Sequence, residues 1–206
     1  MKTLLKIQSS IFSNGGQSSQ LAERFIAAWR ASNPGSKVIV RDLAKEPVPH
    51  LDAGRFGAFL AKPEERTPEQ QTVVDYSDTL IDELKRADVI VIGLPMYNFG
   101  LPSTLKAYFD HVARAGVTFR YTEKGPVGLL TGKKVYVFAA RGGLYAGTPN
   151  ETQTPFIRTF LAFLGMDDVE FVYAEGLAIS EASKQQGIAR AQAHIEALVE
   201  PEPVAA

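Results

Sequence analysis

The chain of 206 residues contains no cysteine. Disulfides, thiolate metal sites and a cysteine nucleophile are excluded, and no oxidising compartment is needed. Histidine is scarce as well: His50, His111 and His194 are the three present, so the protein brings little acid–base machinery of its own. Neither charge is in excess, because 22 Lys+Arg against 23 Asp+Glu leave a formal net charge of −1. That balance provides no field for gripping nucleic acid or an anionic membrane, and no acidic face for docking a basic partner. No stretch approaches the roughly 20 apolar residues of a membrane span. The start, Met1–Gln8, is interrupted by Lys6 and Gln8, which rules out a signal-peptide apolar region. These absences point to the cytoplasm, with neither nucleic acid, membrane nor metal as a partner.

What remains is ordinary globular composition, 45% hydrophobic and 22% charged, enough to bury a full core. The length fits one α/β domain, residues 1–200, followed by a frayed tail over 201–206. Short aliphatic runs at Leu4–Ile7, Val38–Arg41, Val89–Leu94, Val135–Ala139 and Val169–Ala174 read as strands. They are apolar on both faces and too far apart for hairpins, as in a parallel sheet covered by helices on both sides.

Helical periodicity fills the intervals. Leu21, Phe25, Ala28 and Trp29 share one face of a helix stopped by Pro34-Gly35. Thr67-Pro68-Glu69-Gln70 is a capping box that opens a helix with an inner face of Val73, Leu80, Ile81 and Leu84. Leu101, Leu105, Phe109 and Val112 mark a third helix; Ile157, Phe160, Leu161 and Leu164, ended by Gly165, a fourth; Ile188, Ala191, Ile195 and Leu198 the last. The stretch Pro47–Pro63 reads as irregular. Strict alternation with right-handed crossovers predicts a three-layer α/β/α sandwich with a five-stranded parallel sheet in the order 2-1-3-4-5.

In such a sheet, ligands bind beyond the carboxyl ends of the strands where the strand order reverses. The loops after the first, third and fourth strands should therefore form the site. Five of the eleven residues Ser9–Ser19 are serine, with Gly15-Gly16 among them. Glycine backbone, serine hydroxyls and a helix start near Ser18 together make an anion cradle suited to a phosphate monoester. A capped helix start alone would need one serine. Neither a Walker loop nor the G-x-G-x-x-G fingerprint is present, which argues against a tightly held NAD.

The second loop, Pro95–Pro102, carries Met96, Tyr97, Asn98 and Phe99. An aromatic cluster is more often core, but at the switch point these side chains and their backbone offer a slot for a tricyclic ring, with Asn98 for a heterocycle edge. In the third loop, Gly142-Gly143 allows close approach of backbone to a ring. Arg141 beside them is either a surface charge or a cation facing that ring, where it would favour an anionic reduced flavin.

The blocks Pro95–Phe99, Arg114–Tyr121, Arg141–Gly143 and Gly125-Pro126 … Thr131-Gly132-Lys133 resemble the FMN-dependent NADH:quinone oxidoreductases, or azoreductases, of flavodoxin-like fold. The likeness runs in the same order over almost the whole chain. It implies a homodimer with one FMN per subunit near the interface. Ser10 and Gly16-Gln17-Ser18 would hold the phosphate; Met96, Tyr97, Asn98 and Phe99 the ribityl chain and ring; Ala140, Arg141, Gly142 and Gly143 the pyrimidine edge. Tyr121, with Phe163 from the other subunit, would wall the substrate slot. Gly16 and Ala140 stand where the family commonly has serine, so two hydroxyls are lost and backbone N–H groups must serve instead.

With no protein residue cast as catalytic, the flavin would carry the chemistry. The expectation is ping-pong hydride transfer through flavin N5, from NADH or NADPH to a quinone or azo compound in one shared slot. His111 is read as structural. Two other readings stay open at this point: a flavodoxin-type electron carrier without substrate turnover, which is usually acidic, and a flavin-free scaffold of the same fold.

Overall fold

A computed structural model describes residues 1–199; the expected tail over 201–206 lies outside them. Parallel strands β1 (Thr3–Gln8), β2 (Lys37–Asp42), β3 (Val89–Pro95), β6 (Lys134–Ala140) and β7 (Asp168–Ala174) form one sheet in the order β2-β1-β3-β6-β7. Counted among themselves, the parallel strands follow the expected 2-1-3-4-5. The numbering differs because an antiparallel hairpin, β4 (Phe119–Thr122) and β5 (Gly125–Gly128), intervenes. That hairpin was not expected. Its four-residue strands contain glycine and proline, which weaken any strand signal.

Helices α1 (Gln17–Ser32), α3 (Pro68–Arg86), α4 (Ser103–Val112), α5 (Gln153–Leu164) and α6 (Glu181–Val199) occupy the intervals as expected. Alternation along the strands divides the core. Leu5, Ile7, Ile90, Ile92, Val135 and Val137 face α3, α4 and α5, whereas Leu4, Val89, Val91 and Phe138 face α1 and α6. The strand β2 departs from the reading of two apolar faces. It is an edge strand, half-exposed along its length, with Val40 open to solvent.

The stretch Pro47–Pro63 is not irregular throughout. It contains α2 (Ala53–Leu60), started by Asp52 Oδ1 accepting the Arg55 N–H at 2.8 Å. With two glycines in eight residues the segment has poor intrinsic helicity, and tertiary docking stabilises it instead. Phe59 meets the ring of buried His111 edge-on at 5.9 Å and lies under the Arg114 guanidinium at 5.0 Å. The Thr67 capping box forms as expected, with reciprocal bonds to Gln70. The inner face of α3 is turned by one residue, however, since Val74 is buried and Val73 is only partly covered.

Candidate flavin site

The turns after β1, β3 and β6 converge on one cleft of about 300 Å³ at the carboxyl edge of the sheet. Its walls include Ser10, Gly16 and Gln17 from the first turn, Met96 and Tyr97 from the second, and Ala140, Arg141 and Gly142 from the third. A larger hollow of about 590 Å³ opens at the opposite edge, around Lys2, Asp88, Lys133 and Asp168. Ligands of parallel sheets bind at the carboxyl edge, and only the smaller cleft gathers the switch-point turns.

The first turn ends in a helix start without a counter-charge. No side chain caps α1, and its first turn holds no acidic residue. The N–H groups of Gln17, Ser18 and Ser19 therefore have no helical partner, and the helix dipole adds partial positive charge. The Ser18 and Ser19 hydroxyls are buried without a hydrogen-bond partner. Neither residue lines the cleft, so the donors available to an anion there are the backbone N–H groups at the start of α1. Gly16 packs so closely on Ser10 that a Cβ there would collide with the Ser10 hydroxyl. Ser18 itself stands behind the cleft wall, its hydroxyl against Gly93 of β3.

The second turn is a two-residue reversal. Tyr97 N–H donates to Gly100 O at 3.1 Å and Gly100 N–H to Tyr97 O at 3.0 Å. Its tip residues Asn98 and Phe99 both adopt positive φ, 48° and 63°, a left-handed conformation uncommon for non-glycine residues and costing of order 1 kcal/mol each. Both tip side chains are exposed and stand outside the cleft walls of the single chain. The Tyr97 hydroxyl reaches back to the first turn, accepting the Ile11 N–H at 3.3 Å and lying 3.5 Å from Ser10 Oγ.

In the third turn, all three carbonyls are taken. Arg141 O accepts from Leu177, Gly142 O from Ala178 and Gly143 O from Gly176. Among the described residues, the N–H groups of Gly142 and Gly143 have no partner, which leaves two donors for a carbonyl-rich ring edge. The Arg141 guanidinium is neither a surface charge nor a free cation at the cleft. Its side chain is fully buried, ion-paired with Glu151 at 2.6 Å and Glu175 at 3.1 Å, and it lies over the Tyr173 ring at 4.9 Å. Burial pushes the Tyr173 phenol up, opposed by its bond to Thr154 and by the Arg141 charge. Sequence reasoning missed Glu151, Gln153 and Glu175 as partners, since ion pairs across 10 and 34 residues leave no local pattern.

Tyr121 and Phe163 are remote from this cleft within the chain. Helix α5 begins where Gln153 meets Pro95, at the carboxyl edge, and ends where Leu164 O accepts from Leu130 N–H. It runs antiparallel to the strands, so Phe163 in its last turn lies at the other pole. There Phe163 packs on Phe119 at 4.2 Å and Phe119 on Tyr121 at 5.4 Å. Tyr121 is 73% exposed. His111 takes no part either: it is buried in α4, bonded through Nδ1 to Ala107 O at 3.0 Å.

A doubly wound parallel sheet with a cleft at its switch point is a flavodoxin-like architecture, and residues 1–199 match the family model described as "Flavodoxin-like fold". The chain is 57% identical over 196 residues to the FMN-dependent NADH:quinone oxidoreductase of Cellvibrio japonicus, covering 95% of this chain and 98% of that protein. With FMN-dependent NADH:quinone oxidoreductase 6 of Burkholderia lata it is 56% identical, covering 96% and 100%. Among solved structures, an azoreductase from Bacillus anthracis superposes with a TM-score of 0.89 at 27% identity, covering 97% and 99%. An FMN-dependent NADH-azoreductase from the same species, in complex with FMN, does so with 0.85 at 27% identity, covering 97% and 100%. This chain belongs to the family of FMN-dependent NADH:quinone oxidoreductases.

Proposed function

We propose that the protein is an FMN-dependent NAD(P)H:quinone oxidoreductase that also reduces aromatic azo compounds, acting in the cytoplasm as a homodimer of the 1–200 domain. One observation carries the reading: among the described residues, Gln17 at the start of α1 and Gly142 in the third turn keep unpartnered N–H donors, and both line a single cleft with Met96 and Tyr97. A phosphate at the first and a pyrimidine edge at the second match that chemistry. The names of the relatives support the same cofactor and reaction.

On this reading Ser10, Gly16, Gln17 and Ser18 hold the phosphate, with backbone N–H groups replacing the hydroxyl absent at Gly16. Met96, Tyr97, Asn98 and Phe99 hold the ribityl chain and ring. Ala140, Gly142 and Gly143 meet the pyrimidine edge, and Arg141, whose N–H goes to Ala174 O, acts there through its position and by bracing the turn. FMN, when bound, supplies two-electron chemistry at N5, accepting from the nicotinamide and delivering to the quinone or azo bond. The chain's own contribution is orientation and exclusion of water. The exposed Tyr121, with Phe163, would close the slot from a second copy, because their own protomer carries them at the wrong pole. Nicotinamide and acceptor then share one place in turn.

The purified protein should be yellow, oxidise NADH with menadione as acceptor, and bleach an azo dye. Initial rates should give parallel double-reciprocal lines. A yellow protein that does not oxidise NADH would be an electron carrier, and a colourless one that ignores added FMN would refute the reading altogether.

A further inference from the structure

Gln153, at the first position of α5, is fully buried, and its amide uses both donor hydrogens and its oxygen. Its Oε1 accepts from Arg141 Nε at 3.2 Å, and its Nε2 donates to Pro95 O at 3.0 Å and Gly100 O at 3.2 Å. An amide offers an acceptor oxygen with two lone pairs and two donor hydrogens. The guanidinium can only donate and the two carbonyls can only accept, so the amide has one workable orientation. The result is a bridge between the turn at 95–100 and the turn at 141–146, two of the three that form the cleft.

The bridge is held from behind. Glu151 Oε1 takes Arg141 Nη2 and also the N–H groups of Gln153 and Thr154, at 3.1 and 3.0 Å, fixing the start of α5. Glu175 Oε1 takes Arg141 Nη1 and the N–H groups of Tyr145 and Ala146, at 3.0 and 2.9 Å. One buried guanidinium thus ties the third turn to β7, to α5 and, through Gln153, to the second turn. The second turn also carries the strained pair Asn98 and Phe99, which persists only where surrounding contacts over-determine it.

We propose that Gln153, locked by Arg141, is a positioning residue that sets the gap between the two turns gripping the flavin ring. This rests on the flavin reading above. Gln153 touches neither ring nor substrate on that reading; it fixes the elements that do, and misplacement of about 1 Å suffices to lose binding geometry.

Two substitutions separate the donor from the charge. Gln153→Glu keeps an oxygen for Arg141 but removes both donors; Gln153→Leu removes everything. Each should raise the FMN dissociation constant at least about tenfold, measured by quenching of flavin fluorescence, and change the visible circular dichroism of what FMN still binds. In the flavin-free protein, each should speed hydrogen exchange at the Tyr97 and Gly100 amides. Leu161→Ala, a buried position further along α5, should lower the melting temperature without changing FMN affinity, dichroism or that exchange. Wild-type affinity in Gln153→Leu, weakening confined to Gln153→Glu, or a parallel loss in Leu161→Ala would each overturn the proposal. Faster exchange with a wild-type protein that takes up no FMN would instead refute the flavin reading while leaving the bridge between the turns intact.

Discussion

The Ser10 hydroxyl fills the space in which a β-carbon on residue 16 would stand. Glycine at 16 is therefore a steric partner of Ser10 as well as a turn former. Gly16→Ala should force the Ser10 side chain out of its place beside Tyr97. Overpacking of this kind costs about 1–3 kcal/mol, and here the cost falls on the cradle rather than the core. FMN titration should show affinity weakened by about tenfold, and the flavin-free protein should melt a few degrees lower.

Arg141 is the group on which most of the third turn depends. Arg141→Met would leave Glu151 and Glu175 buried without their cation, a loss of about 3–5 kcal/mol for a broken buried pair. Urea unfolding should register it as a lower midpoint at unchanged slope. Glu196→Gln, which breaks the exposed pair with Arg24 (47% and 60% accessible side chains), should cost less than about 1 kcal/mol. Equal losses in the two variants would contradict the buried assignment.

His111 gives the protein a pH dependence on the acid side. Burial holds its folded pKa below the ordinary value of 6.5, only partly offset by the Ala107 hydrogen bond. The facing groups contribute in both directions: Arg55 lowers it, while Asp110 and Asp52 raise it. Protonation therefore favours the unfolded chain. The stability contributed by neutral His111 is fully present above about pH 6.5 and is lost as pH falls through the folded value. Melting temperatures should drop between pH 7.5 and 5.5, and His111→Gln should flatten that part of the curve.

Much of the scaffold was legible before any coordinates. The five parallel strands begin and end within one residue of the apolar runs; four of them are buried and must be largely apolar, while β2 is a half-exposed edge. The cleft was legible from topology, since a switch point needs only strand order. The helix α2 was hidden because Gly54 and Gly57 and flanking prolines mask it, and Phe59 docking on His111 makes it helical. The role of Arg141 was hidden for a different reason: a guanidinium beside two glycines looks the same in sequence whether it faces solvent, a ring or two distant carboxylates. The face of α3 was misplaced by one residue, Val73 for Val74, which a period of 3.6 cannot resolve from adjacent valines.

Gly128 and Gly165 approach so closely that a side chain on Gly128 would overlap the backbone of residues 164 and 165. Gly128→Ala should push the hairpin off the end of α5. On the proposed function its effect should appear as a fall in kcat/KM for the acceptor of about tenfold or more, while the phosphate cradle keeps its affinity for FMN. A loss of FMN affinity matching the loss of turnover would show that the hairpin does not act from the far pole.

The direction of α5 sets a stoichiometric rule for the proposed enzyme. A molecule that carries its cradle at one end and its aromatic cover at the other cannot finish its own slot by folding. Two copies related by a two-fold axis finish two slots at once, so on dilution below the dimer dissociation constant the rate should fall with the square of protein concentration while the yellow colour persists.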